Sequence, residues 1–310
     1  MNSALQIVLN CDGVNDEILR SDHNGPLVSA YKDLVRNYRA DDDNNSIKPS
    51  QIKRAVAKCR EEFEGFSQED AGEFFDALIV GMDDEMKKAD KKDNTIGDVM
   101  YFDTRERFYS LESSKTKDNI KKHATGNINS DATLWLDLPE DNIPITLEKC
   151  IGWYLRPQKD DIRSIDFPVK VNGKVVKLKN GEDKEISEKA YLKNFIDVCR
   201  NYVIIIFKRF CYQERGRGRE PMRYKKFNEV RVGGTLKTDG GTYRLKSFIV
   251  HHGNVSRYGG GSGGHYVSYV NDNGWYNCDD SNCSRVSVEK ASEMSRNAYV
   301  VCYEKVTQLS

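Results

Sequence analysis

Residues 202–207 read Tyr-Val-Ile-Ile-Ile-Phe, and Lys-Arg-Phe follows directly at 208–210. β-Branched and aromatic side chains favour extended structure, so this run predicts a strand with Ile204, Ile205 and Ile206 in the core. On either side, residues 133–136, 243–250, 266–270 and 298–303 have the same character. Turn pairs such as Asn172-Gly173 and Gly240-Gly241 separate such stretches. The part of the chain after about Asp103 is therefore predicted to be mainly β.

The first third has a different, helical pattern. Apolar residues recur there at three- and four-residue spacing, which indicates one buried face per helix. A break is expected at Gly13, a loop at 41–45, and a helix start near Pro49. The predicted buried positions are Ala4, Leu5, Val8, Leu9, Leu27, Tyr31, Leu34, Val35, Tyr38, Ile52, Ala55, Val56 and Cys59.

The best-marked helix is predicted to open at Ser67, with Ser67 as its N-cap and Asp70 at the capping-box position. Acidic residues here suit the positive end of the helix dipole. Its apolar face consists of Ala71, Phe74, Phe75, Leu78, Ile79 and Met82.

Helices followed by strands predict an α+β fold. We expect one domain over 1–310, with a helical lobe at 1–103, a β-rich lobe at 104–310 and a cleft between them. Residues 156–190 are highly charged and poor in large apolar side chains, which indicates a projecting hairpin or loop.

Composition excludes several classes of function. Lys+Arg and Asp+Glu number 48 each, and this balance argues against nucleic-acid binding, which needs surplus cations. No apolar run is long enough for a membrane span, and the N-terminus does not read as a secretory signal. The eight cysteines include no C-x-x-C pair, so we expect no metal, no cofactor and reduced thiols in the cytoplasm, the nucleus or both.

Four segments in order resemble motifs of the ubiquitin-specific proteases. They are FSQEDAGEF at 66–74, IIIFKRF at 204–210, GHYVSY at 264–269 with WYNCDDS at 275–281, and AYVVCY at 298–303. The resemblance implies a fold of the papain-like cysteine protease superfamily, with a helical thumb on a mainly antiparallel β palm. It also implies ubiquitin or a ubiquitinated protein as partner and a monomeric enzyme. Because Cys150 and Cys199 are single, the fingers would be reduced and hold together without metal.

The resemblance also assigns catalytic roles. His265 would be the general base, Asp279 the acid that orients its ring, and Asp280 a second candidate for that acid. Such an imidazole activates a cysteine thiol and later protonates the leaving amine.

By the same resemblance, five residues would bind substrate: Gln68, Asp70, Glu73, Gly264 and Tyr266. The acids would contact the arginine-bearing tail of ubiquitin. Two purely structural alternatives stay open. Asp70 and Glu73 could act only as helix-capping acids, and Gln68 could have a structural role. Glycines at 259–261 and 263–264 would allow the loop before His265 to approach that tail closely.

The family's nucleophile is missing from the 310 residues. Residues 1–6, Met-Asn-Ser-Ala-Leu-Gln, resemble the second half of the family's cysteine box, which places the nucleophilic cysteine two residues before Met1. In a continuous helix, Cys11 would lie roughly 18 Å from the expected nucleophile. Because side chains alternate along a strand, Cys278 would point away from His265 if Asp279 points toward it. Cys283 follows in a loop and carries little weight.

Two hypotheses follow, and a third fails. The first is a truncated product of a working deubiquitinase, inactive as written, that would hydrolyse the bond after the terminal glycine of ubiquitin. The second is a pseudoprotease that binds ubiquitin or acts as a scaffold without cleavage. A different papain-like protease or a transglutaminase would not need the 66–74 and 204–210 motifs.

Overall fold

The computed structural model describes residues 2–40, 49–65, 69–89, 96–111, 123–168, 170–171, 174–214, 221–253 and 264–306. The predicted loop at 41–45, the Asn172-Gly173 turn, Ser67, Gln68 and the glycines at 259–261 and 263 lie outside the described residues. None of the described helices is long and apolar enough to cross a membrane.

Most of the described helices precede the first strand, as the sequence predicts, and two lie among the strands. The helices are α1 (Asn2–Leu9), α2 (Asp12–Arg20), α3 (Pro26–Arg39), α4 (Ser50–Cys59), α5 (Ala71–Ala89), α6 (Gly97–Met100), α7 (Leu147–Leu155) and α8 (Val288–Ser295), with a 3-10 turn at Glu61–Phe63. The strands are β1 (Phe102–Ser110), β2 (His123–Asp131), β3 (Leu134–Leu136), β4 (Ile145–Thr146), β5 (Gln158–Pro168), β6 (Lys170–Val171), β7 (Lys174–Val175), β8 (Glu185–Cys199), β9 (Tyr202–Phe207), β10 (Phe210–Gln213), β11 (Met222–Lys225), β12 (Val230–Arg231), β13 (Thr235–Thr238), β14 (Gly241–His252), β15 (His265–Asn271), β16 (Trp275–Asp279), β17 (Asn282–Val286) and β18 (Ala298–Lys305).

The chain forms two compact units. The first comprises Met1–Phe102, Ala132–Cys150 and Cys199–Ser310, and the second comprises Asp103–Asp131 and Ile151–Val198. The first unit contains both the helical segment and the largest sheet. The predicted division into lobes at residue 103 stays a prediction.

The largest sheet of the first unit has eight strands in the order β17-β16-β15-β14-β18-β9-β3, with β13 added beside β14. All its pairs are antiparallel except β3 with β9. The run at 202–207 forms β9, and every residue of it is buried. The apolar sequence that predicts a strand therefore occupies the interior of the sheet.

The helices of the first unit pack on this sheet to form one hydrophobic core. Most positions predicted from helical spacing are buried: Ala4, Leu5, Val8, Leu9, Leu27, Tyr31, Leu34, Val35, Ile52, Ala55, Val56, Ala71, Phe74, Phe75, Leu78, Ile79 and Met82. Two are wrong. Tyr38 near the end of α3 is 45% exposed, and Cys59 at the last position of α4 is also exposed. Both lie in the last turn of a helix, where fewer neighbours cover the apolar stripe.

The predicted break at Gly13 is displaced by two residues. The chain leaves α1 after Leu9 and starts α2 at Asp12, so Gly13 lies inside a helix. The amide of Gly13 donates to the hydroxyl of Tyr202 at 3.0 Å, and a Cβ on it would lie 3.4 Å from the Tyr202 ring. Gly13 is thus a helical residue in contact with Tyr202, and the helix break lies before it.

The second unit is a four-stranded sheet in the order β2-β1-β8-β5. β5 and β8 pair antiparallel, with Phe167 opposite Ile186, so the charged segment at 156–190 is a hairpin as predicted. Arg105 Nε donates to Asp197 at 2.7 Å, and Tyr109 stacks on Tyr191 at 5.6 Å between ring centroids.

Candidate active site

Antiparallel pairing of β15 and β16 brings a histidine and an acid together. His265 is the first residue of β15 and Asp279 the last of β16. His265 Nε2 lies 2.5 Å from Asp279 Oδ1, and the two side chains are 45% and 52% exposed. Because a carboxylate only accepts, Nε2 carries the proton and Nδ1 is the ring atom left to act as a base. The structure therefore brings His265 and Asp279 together, and their catalytic roles stay a prediction.

The N-terminus of α1 lies beside this pair. Asn2 Nδ2 donates to Asp280 Oδ1 at 2.9 Å, and Ser3 Oγ donates to the carbonyl of Tyr266 at 2.9 Å. One turn later, Gln6 is hydrogen-bonded to Ser268 of β15. The first two turns of α1 are thus bonded to the strand that carries His265. The first residues of α1 therefore lie beside the site.

The two neighbouring acids have different partners. Asp279 contacts His265, whereas Asp280 contacts Asn2 in a turn where its own φ is 50°. One oxygen of each acid and one nitrogen of His265 lie within 4.8 Å of one another. This is the one group in the described chain with three side chains close enough to ligate a cation. The same three residues also fit an acid–base site, because they are partly exposed and are paired with each other and with Asn2.

Asp70 has a structural role that corrects the predicted capping arrangement. Helix α5 begins at Ala71, so Asp70 is itself the capping residue and not the third residue after a cap. Its Oδ1 accepts from the amides of Gly72 at 2.8 Å and Glu73 at 3.1 Å. The buried hydroxyl of Tyr299 also donates to Oδ1, at 2.5 Å. Burial, reinforced by this carboxylate, raises the pKa of Tyr299 well above its ordinary value.

Tyr266 links Asp70 to the histidine strand. Its hydroxyl lies 3.4 Å from Asp70 Oδ2, and its ring is 9% exposed. The ring centroids of Tyr266 and Tyr299 lie 6.0 Å apart, and that of His251 lies 4.6 Å from that of Tyr266. Asp70 and Tyr266, two of the predicted substrate-binding residues, therefore belong to one side-chain network. Their contact with substrate stays a prediction.

Gly264 packs against His251. The imidazole of His251 fills the position of a Cβ on residue 264, so any larger residue there would displace the ring. On its other side, His251 Nδ1 lies 2.9 Å from Lys225 Nζ, which also donates to the carbonyls of His251 and Gly253. Burial, with Arg209 nearby, lowers the pKa of Lys225 to about 8. The close approach of Gly264 in this structure is thus to a neighbouring strand.

The comparison with family models decides the family. The model described as ubiquitin carboxyl-terminal hydrolase matches residues 1–303. The chain belongs to the ubiquitin carboxyl-terminal hydrolase family. Membership makes it a cysteine-type ubiquitin hydrolase by family, as the ordered motifs predict. A comparison with curated protein sequences finds no match.

Solved structures agree on the fold. A structure of the SAGA Ubp8/Sgf11/Sus1/Sgf73 DUB module bound to ubiquitin aldehyde has a TM-score of 0.70 at 17% identity, over 99% of this chain and 67% of that one. A second SAGA DUB module structure, with monoubiquitin and a Ubp8 variant, has a TM-score of 0.67 at 16% identity, over 99% and 66%. The chain thus spans about two thirds of each. The predicted α+β, papain-like fold of a ubiquitin-specific protease is confirmed.

Two predicted substrate-binding residues, Glu73 and Gln68, remain to be placed in this family member. Glu73 lies exposed in the first turn of α5, where its charge suits the helix dipole. Gln68 lies outside the described residues. Three residues around the site were missed by sequence reasoning: Lys225, His251 and Tyr299. No local signal marks Lys225, whereas Tyr299 lies inside the closing-strand motif.

The cysteines that could replace the missing nucleophile differ in exposure. Cys11 is fully buried, with its Sγ 3.8 Å from that of Cys302, and burial raises its pKa well above the ordinary value. Cys278 is buried in β16, which also raises its pKa, whereas Cys283 in β17 is exposed. A high pKa disfavours the thiolate that nucleophilic attack requires.

Proposed function

We propose that this chain supplies the base, the orienting acid and the ubiquitin-binding surface of a thiol-dependent deubiquitinase. The reaction is hydrolysis of the bond after the C-terminal glycine of ubiquitin. The observation that carries the proposal is the His265–Asp279 pair, with Nδ1 left as the base, beside the N-terminus of α1.

The nucleophile in this proposal is a cysteine two residues before Met1. The first six residues resemble the part of the cysteine box that follows the nucleophile, and Asn2 lies beside Asp280. A thiol at that place would lie at a helix N-terminus and next to an imidazole. Both lower a thiol pKa and favour the thiolate.

The chemistry then follows from the geometry. His265 Nδ1 takes the thiol proton, and the thiolate attacks the carbonyl carbon of the terminal glycine. The imidazolium, held by Asp279 through Nε2, protonates the departing amine and leaves an acyl-enzyme. Water, deprotonated by His265, then releases ubiquitin. Asp280 contributes by holding Asn2 and with it the start of α1.

The test compares the 310-residue chain with two extended versions of it. One carries Asn-Ala-Gly-Asn-Thr-Cys-Tyr before Met1, and its matched control carries Ser in place of Cys. We expect ubiquitin with a thiol-reactive C-terminus to label only the Cys version. That version should also hydrolyse a ubiquitin C-terminal amide, and His265→Ala should abolish the hydrolysis. Labelling of the 310-residue chain that is lost in Cys283→Ser would contradict the proposed nucleophile.

The same experiment addresses the pseudoprotease alternative. Ubiquitin binding by both extended versions without labelling or hydrolysis of either would favour a binding module. In-frame codons for Asn-Thr-Cys-aromatic immediately upstream of the Met1 codon would support the hydrolase, and a stop codon there would argue against it. Monomeric state and location in the cytoplasm, the nucleus or both remain part of this proposal.

A further inference from the structure

Two cysteines lie directly opposite each other in the hairpin that carries the orienting acid. β16 and β17 pair antiparallel, with Asp279 opposite Asn282 and Cys278 opposite Cys283. Only Asp280 and Ser281 connect the strands, and the positive φ of Asp280 suits such a tight turn. The cysteine pair is therefore the second pair from the turn.

The geometry of this pair suits a disulfide. A two-residue turn closes on a hydrogen-bonded pair, so the next pair, Cys278 with Cys283, is not hydrogen-bonded across the strands. In agreement, the carbonyl of Cys278 accepts from Ser268 Oγ at 3.4 Å, on the β15 side. Cα atoms of such a pair lie about 4.5 Å apart, within the roughly 4.4–6.8 Å that disulfides span.

Exposure gives the two sulfurs different roles. Cys283 is exposed and can meet a dissolved oxidant, whereas Cys278 is 5% exposed and adjoins it. We propose that Cys278 and Cys283 are a redox modification site that closes reversibly to a disulfide across the Asp279 hairpin, with a small-molecule disulfide as the oxidant. This inference does not depend on the proposed function.

The exchange with glutathione disulfide balances in two steps. The Cys283 thiolate attacks one glutathione sulfur, forms a mixed disulfide and expels one glutathione thiolate. The Cys278 thiolate then attacks the sulfur of Cys283, forms the intramolecular bond and expels the second glutathione. The two thiol protons end on the two glutathione molecules, which carry the two electrons. Burial raises the pKa of Cys278, so the second step should accelerate as pH rises.

Two other sites in the chain serve as internal comparisons. Cys11 and Cys302 are in contact, but both are 0% exposed, so contact without access should leave them reduced in the folded protein. Cys59 is exposed and lies in α4, so access without a partner thiol should stop at the mixed disulfide.

The test treats the folded 310-residue chain with glutathione disulfide, blocks remaining thiols in denaturant and maps peptides. Cleavage before Asp279 or Asp280 separates the two cysteines, so a linked pair of peptides identifies the bond. We expect that neither Cys278 nor Cys283 is alkylated after this treatment and that neither carries a glutathione adduct. Reduction should make both cysteines alkylatable again. Cys278→Ser should trap glutathione on Cys283, Cys283→Ser should remove both products, and Cys59→Ser should leave the disulfide intact.

Three outcomes would overturn the inference. One is a stable glutathione adduct on Cys283 of the unmutated chain while Cys278 stays alkylatable. Another is oxidation of Cys11 and Cys302 in place of this pair. The last is an unmodified hairpin under conditions that fully modify Cys59.

Discussion

The imidazole of His251 fills the space beside Gly264 in which any other residue would carry its Cβ. β14 and β15 pair with His251 opposite Tyr266 and His252 opposite His265, so the contact lies at the start of the histidine strand. The ring cannot withdraw easily, because Lys225 bonds its Nδ1 and main-chain carbonyl. Glycine at 264 therefore fixes where the chain enters β15, one residue before the base.

Gly264→Ala should destabilise the protein by about 1–3 kcal/mol, the usual cost of overpacking a tight contact. Because the clash is with the imidazole, the loss should be smaller in a His251→Ala background. Urea unfolding of the two single variants and the double variant measures this coupling. An equal loss in both backgrounds would show that the clash does not involve His251.

Substitution of Asp279 and of Asp280, the two acids of the hairpin, should lower catalytic activity by different amounts. In the Cys-extended chain, Asp279→Asn should lower kcat about 10²–10⁴-fold, because the imidazole loses the group that fixes its tautomer and orientation. Asp280→Asn should have a smaller effect, since Asp280 bonds Asn2 and not His265. Hydrolysis of a ubiquitin C-terminal amide measures both, with circular dichroism to confirm folding. The opposite ranking would make Asp280 the orienting acid.

The sequence could predict those parts of the fold and site that depend on local pattern. The apolar run at 202–207 and the order of motifs lead to the buried strand and to the His265–Asp279 pair. The contact of His251 with Gly264 depends on the register of two strands joined by a twelve-residue connection, residues 253–264. Nothing in local composition encodes that register.

Misplaced predictions have a similar origin. Gly13 reads as a breaker because glycine usually disfavours helices, yet it lies inside α2, where its amide bonds the hydroxyl of Tyr202, far along the chain. Asp70 reads as a capping-box residue because Ser67 precedes it, whereas α5 begins at Ala71 and Asp70 itself accepts from the amides of Gly72 and Glu73. Both Gly13 and Asp70 also bond a tyrosine hydroxyl far along the chain, which no local pattern reveals.

Lys225 should titrate well below an ordinary lysine. Its pKa in the folded protein is lowered to about 8 from 10.5, chiefly by burial, so between these values only the unfolded chain holds the proton. The unfolding free energy should therefore rise with pH across this window, relative to Lys225→Met. NMR of ¹³C-methylated lysines checks the pKa directly, through a resonance that is absent in Lys225→Met. Titration of that resonance near 10.5 would contradict the lowered value.

Arg209 should resist replacement even by lysine. It is 2% exposed, its Nε donates to the carbonyl of Ala298 at 2.8 Å, and its Nη1 donates to that of Asn228 at 2.9 Å. A lysine cannot reproduce this planar fork, so Arg209→Lys should cost about 2–4 kcal/mol. The neighbouring Lys208→Ala is a matched control. Its ion pair with Asp137 is exposed and worth at most about 1 kcal/mol. Equal unfolding midpoints for the two variants in urea would contradict the structural role of Arg209.

Substitution of Asp70 and of Glu73 should change the stability of the protein by different amounts. Comparing the two variants distinguishes helix capping from substrate contact. Asp70→Ala removes the acceptor for two amides and for the hydroxyl of Tyr299, and should cost about 2 kcal/mol. Glu73→Ala removes a favourable interaction with the helix dipole and leaves the Asp70 cap in place, so it should cost less than about 1 kcal/mol. Ubiquitin titration of both folded variants then tests the second role. Weaker binding by Glu73→Ala at unchanged stability would establish contact with the ubiquitin tail, because its cap is intact. If neither variant changes affinity, both acids serve the helix alone.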